Sequence, residues 1–173
     1  MQFFDDYMPY RSVAFTHNDW RWWSNTYLIV PVKRDIPGVT DLADGLYWRE
    51  DEMDEDGYEG CEYDRSGDAP IETLEQLLES QTPINYTDIP SLWVSYLDND
   101  GQATVLAQCG DVYVNRMLLG IAEYVMAERL VGLGIDGPHD PISLWTDGGF
   151  QGKVMPVRVT SPDELMPMTW GTA

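Results

Sequence analysis

Short apolar runs bounded by polar residues come first: Val13–Phe15 within Arg11–Thr16, then a longer β-branched and aromatic run from Asn25 to Lys33. They predict two strands. His17–Ser24 bridges them; if the bridge is extended, Trp20 and Trp22 share a face and Trp23 lies opposite. Aromatics of this size predict a place in the core or at its rim, with an exposed interface anchor as the functional alternative. Pro31 inside the second run argues for an edge or a bulge there. Gly45–Arg49 reads as another short strand.

Such runs return in two hairpins. Ser91–Leu97 and Gln102–Cys109 flank the turn residues Asp98-Asn99-Asp100-Gly101, with Leu92, Val94 and Tyr96 pointing one way and Trp93 and Leu97 the other. Ile142–Thr146 and Gln151–Thr160 flank Asp147-Gly148-Gly149. Between the hairpins the period changes. From Asp111 to about Leu133 the apolar residues Val114, Met117, Leu118, Ile121, Val125 and Leu130–Val131 recur with few charges, which predicts one long buried helix capped by Asp111 and ended by Gly134.

A shorter amphipathic helix is predicted from about Ala69 to Ser80, with Asp68 as its cap, Pro70 in its first turn and Leu74, Leu77 and Leu78 as its buried stripe. Ser161–Glu164 has the form of a capping box for a brief turn before Pro167. The expected fold class is α+β. A mainly antiparallel sheet of five to seven strands, built of hairpins, packs on one long buried helix, with one short amphipathic helix beside it. No repeat or linker divides the chain, so residues 1–173 are expected to form a single domain.

Charge changes this picture in one place. The chain holds 30 acids and 10 bases, a net charge of −20, and two of the bases are lysines. Fifteen of the acids fall between Asp41 and Glu79, whereas salt adaptation, the bland alternative, would spread them over the whole surface. The densest part runs from Glu50 to Asp68: Glu50, Asp51, Glu52, Asp54, Glu55, Asp56, Glu59, Glu62, Asp64 and Asp68, with Arg65 as the one base. Glu72, Glu75 and Glu79 of the short helix extend the series along its outer side. Glycines 57, 60 and 67 and self-repulsion argue against a helix here, so residues 50–68 are expected to form a loop-like excursion pinned by Tyr58 and Tyr63.

Other chemistry is poorly supported. Asp98–Gly101 starts like a calcium loop but lacks the remaining ligand positions. Cys61, Cys109, His17 and His139 do not have zinc spacing. His17 with Asp19 and His139 with Asp140 belong to no nucleophile motif, so an enzyme is not expected, nor a cofactor or metal. Bases are scattered and the net field repels phosphate, which argues against direct nucleic-acid binding. No window has the length of a membrane span, and no signal peptide is apparent, so a cytoplasmic location in the host cell is expected. Two cysteines do not make a disulfide framework, although one bridge between Cys61 and Cys109 stays open.

The thirteen carboxylates therefore predict a partner with a basic surface. In size, acidity and lysine poverty the chain is similar in physical type to the DNA-mimic inhibitors of phages and mobile elements, the anti-restriction and anti-CRISPR proteins. That similarity implies competition for the basic nucleic-acid-binding surface of a host protein. The alternatives are an acidic protein-binding module, such as a toxin-immunity or assembly protein, and a salt-adapted structural protein. Another sheet edge leaves room for a homodimer.

Overall fold

A computed structural model describes residues 11–36, 39–54, 57–79, 85–97, 101–159, 163 and 165–167. These form an α+β fold with mainly antiparallel strands and two helices. Contacts group the chain into two compact units, residues 1–80 with 125–127 and residues 81–124 with 128–173.

In the first unit β1 (Arg11–His17), β2 (Trp20–Ser24), β3 (Leu28–Pro31), β4 (Gly45–Asp54) and β5 (Gly57–Gly67) lie in the order β5-β4-β1-β2-β3. The bridge between the first two expected strands is itself a strand. His17 pairs with Trp20 across a two-residue turn, Asn18-Asp19, whose φ angles are +50° and +63°. Two successive left-handed residues make the tight hairpin connection that Asn and Asp tolerate, and its twist suits the strands it joins. A second reversal follows at once. Asn25 Oδ1 accepts the amides of Tyr27 and Leu28 at 3.1 and 2.8 Å, and Thr26 takes a φ of +79°.

Position along β2, not alternation, sorts its aromatics. Trp23 is fully buried and Trp22 nearly so, stacked at 6.2 Å on Phe15, while Trp20 at the strand's start is 52% exposed, with Lys33 Nζ over its ring. Pro31 is the last residue of β3, where a missing amide is tolerated.

The acidic excursion is not a loop. β4 and β5 form a hairpin from Leu46↔Gly67 to Asp54↔Gly57, and this corrects the expectation for residues 50–68. The register supplies the reason. Asp51 faces Cys61, Asp64 faces Trp48 and Asp54 faces Gly57, so three of the seven carboxylates on these strands oppose an uncharged residue, and Met53 faces Tyr58. Glu50↔Glu62 is the one directly opposed acid pair in this register. Such a pair costs a fraction of a kcal/mol, about 0.2–1, and the next pair along is Arg49↔Tyr63.

α1 (Ile71–Glu79) follows. It starts two residues later than expected: Pro70, not Asp68, precedes its first residue and its carbonyl accepts Leu74 N–H at 3.1 Å. Leu78 is buried, and Leu74 and Leu77 are half-buried.

The second unit holds two sheets. β6 (Asn85–Asp88), β10 (Gly132–Ile135), β11 (Ile142–Thr146) and β12 (Gly149–Val154) pair in the order β12-β11-β10-β6. β7 (Trp93–Leu97), β8 (Ala103–Cys109), β9 (Val112–Asn115) and the two-residue β13 (Met166–Pro167) pair as β13-β7-β8-β9. Both expected hairpins are present. Val94, Leu106 and Tyr113 form a buried cluster on the second sheet, closed by Tyr96, Val157, Val159 and Leu165. The turn residues 98–100 and most of the expected capping box at 161–164 lie outside the described residues.

The long helix is the larger correction. Residues 111–133 divide into β9, α2 (Arg116–Met126) and β10. Val112-Tyr113-Val114 is a β-branched run that pairs with β8 across a turn at Gly110, whose φ is +61°. Asn115 Oδ1 then accepts Met117 N–H at 2.9 Å and starts the helix. Ala127, with φ +53°, stops it, and Glu123 Oε1 accepts Leu130 N–H at 2.9 Å beyond that stop. A continuous apolar run does not reveal its period, so strand and helix look alike in it. The short segments on either side of α2 also raise the strand total to thirteen among the described residues, above the expected five to seven.

Candidate interaction surface

The carboxylate hairpin is held at its base by two guanidinium groups. Asp44, just before β4, accepts Thr16 N–H and Thr16 Oγ1–H, each at 3.3 Å, and binds Arg21 Nη1 through Oδ1. Its own carbonyl accepts Arg65 Nε–H and Nη2–H at 3.3 Å, and the same Nη2 donates to Asp68 Oδ1 at 2.8 Å. Tyr47 Oη donates to Ala43 O at 2.7 Å, and Ser66 Oγ to Leu46 O at 3.3 Å. Gly45 is required in this knot, because a Cβ there would lie 2.7 Å from Arg65 Nε and 3.2 Å from the Gly67 carbonyl.

From this base the hairpin carries acids at Glu50, Asp51, Glu52 and Asp54 on β4 and at Glu59, Glu62 and Asp64 on β5. Glu55 and Asp56, between the two strands in sequence, lie outside the described residues. Six of the acids (Glu50, Asp51, Glu52, Asp54, Glu59 and Glu62) fall within the four strand steps from Glu50 to Asp54 and the facing stretch of β5. At about 3.3 Å per step that is about 13 Å, or one carboxylate per about 2.2 Å.

The remaining expected site residues divide. Asp68 is engaged by Arg65, and Glu75 Oε1 meets His17 Nδ1 of β1 at 3.0 Å, with side-chain exposures of 38% and 11%. Glu75 therefore ties α1 to the sheet and does not stand in an outer acidic row. His17 is further fixed by Asn18 Nδ2 at 3.1 Å from its Nε2 and by edge contact with Trp22 at 6.1 Å. Glu72 and Glu79 are exposed. Arg21 and Asp44 are positioning residues that the sequence did not single out; His17 stood there only as a zinc or catalytic candidate, and Arg65 only as the lone base in the acidic run.

Among the described residues no group of three or more His, Cys, Asp or Glu side chains is placed to hold a metal ion. No described helix is long and apolar enough to cross a membrane. Cys109 is a free thiol whose pKa burial pushes up. No protein-family model, curated protein or solved structure matches the chain.

Proposed function

We propose that this protein is a stoichiometric inhibitor that occupies the basic nucleic-acid-binding surface of a host protein in the cytoplasm, in competition with DNA. The observation that supports the reading is the density of carboxylates along the β4–β5 hairpin. One charge per about 2.2 Å is close to the one per about 1.7 Å of axis that duplex DNA presents. A hairpin paired in register and braced at its base by Arg65 and Asp44 sets the residues that carry those charges at a fixed backbone spacing. A loop would first have to be ordered on binding, at a cost in conformational entropy. Lys/Arg tracks that bind phosphates release counterions when neutralised, and a carboxylate row of similar pitch does the same.

The test is the quadruple substitution Asp54→Asn, Glu55→Gln, Asp56→Asn, Glu59→Gln. Immobilised parent protein should capture basic proteins from host lysate, release them along a salt gradient and lose them to added duplex DNA. The quadruple variant should associate at least about tenfold more slowly with its fold intact. Equal capture by the variant, or partners that hold DNA and this protein at the same time, would overturn the proposal.

A further inference from the structure

The strand order places β5 at the end of its sheet, so among the described residues its outer edge has no neighbouring strand. β5 runs for eleven residues, Gly57–Gly67, about twice the length of an ordinary strand. An open edge of that length presents a row of amides and carbonyls that another strand can complete. Proteins close such edges with proline, with lysine or by covering them. β5 contains no proline and no lysine, and its bulges lie near its two ends, at Leu46/Tyr47 and Asp51/Met53 of the paired strand.

What the edge carries is a sign of charge. Glu59, Glu62 and Asp64 sit on β5, with Glu50, Asp51, Glu52 and Asp54 on the strand behind. A second copy of this chain brought edge to edge would place those carboxylates against their own kind, and like charges across a strand pair are unfavourable. The same edge attracts a strand bearing Lys or Arg. Backbone valence and charge thus select for one occupant.

We infer that the outer edge of β5 accepts an extended, Lys/Arg-bearing segment of the partner protein as an added strand. This rests on the proposed function and names the form its partner's contact takes. Backbone hydrogen bonds fix the segment in place, and the carboxylates choose basic side chains over others.

The full-length protein should bind a nine-residue peptide with lysine at alternate positions and threonine or valine between. The control is the same peptide N-methylated at four amides, two on each edge, which keeps every charge but cannot join a sheet. Binding at about 50 mM salt should weaken at least tenfold on methylation. β5 amides should gain hydrogen-exchange protection with the parent peptide alone. Methylated and parent peptides binding within twofold of one another would overturn the added strand while leaving the charge-based reading standing. Failure of both to bind would overturn the two together.

Discussion

Lys153 shows how one buried residue can set a pH dependence of stability. It lies on β12 opposite Ser143 and is 5% exposed; burial lowers its pKa, and Asp136 partly opposes that shift. Below its folded pKa both states hold the proton and the burial penalty is fully present. Between the folded and unfolded values only the unfolded chain holds it, so stability rises with pH by up to about 1.4 kcal/mol per unit. Above the ordinary lysine value of about 10.4 the penalty is gone. Lys153→Met should lack that rise. Urea unfolding of parent and variant at about pH 8 and about pH 10.5 measures the difference, and parallel curves would show that the buried amine contributes no slope. His17 is legible in the sequence only as one of two histidines; its pairing with Glu75 depends on a residue 58 positions away.

The elements are set by local chemistry that composition alone does not reveal. Asn18-Asp19 turns β1 back on β2 because both residues tolerate left-handed backbone, and this converts an expected bridge into a strand. Ala127 does the opposite kind of work: it ends α2 in a conformation that a Cβ disfavours. Ala127→Gly should therefore stabilise the protein by about 1 kcal/mol, since glycine takes the position after a helix without that strain. Chemical denaturation would check the gain, and a loss on substitution would show that the alanine methyl contributes packing that outweighs it. The acidic hairpin belongs to the same scale. Its strands were hidden by charge density, yet Tyr47, Trp48, Met53, Tyr58 and Tyr63 give it the β-prone residues that its register pairs.

At the scale of the molecule the net charge of −20 opposes compaction, and half of the acids fall within the 39-residue segment Asp41–Glu79. Self-repulsion of that kind is screened by salt. The melting temperature should rise between about 10 mM and about 200 mM sodium chloride by several degrees, at about 2–4 °C per kcal/mol for a chain of this size. The quadruple variant described above should show a smaller rise. A melting curve indifferent to salt would mean that the carboxylates sit far enough apart not to burden the fold. Unfolding at the low-salt end would favour the salt-adapted reading over the inhibitor.

The sequence by itself determined the α+β class, both hairpins, the amphipathic α1 and the concentration of carboxylates, because each depends on residues close together in the chain. Short β-prone runs and turn residues are local properties, and so is charge density. Only the tertiary structure decided that residues 50–54 and 57–67 pair as strands, that 111–133 is three elements, and that Glu75 faces His17. The last of these depends on distant segments coming to lie alongside, as β1 does beside the foot of the acidic hairpin, whereas β8 and Val112–Asn115 pair across two residues. An apolar or acidic run is compatible with several conformations until a neighbour supplies its hydrogen bonds, and the neighbour is a property of the fold.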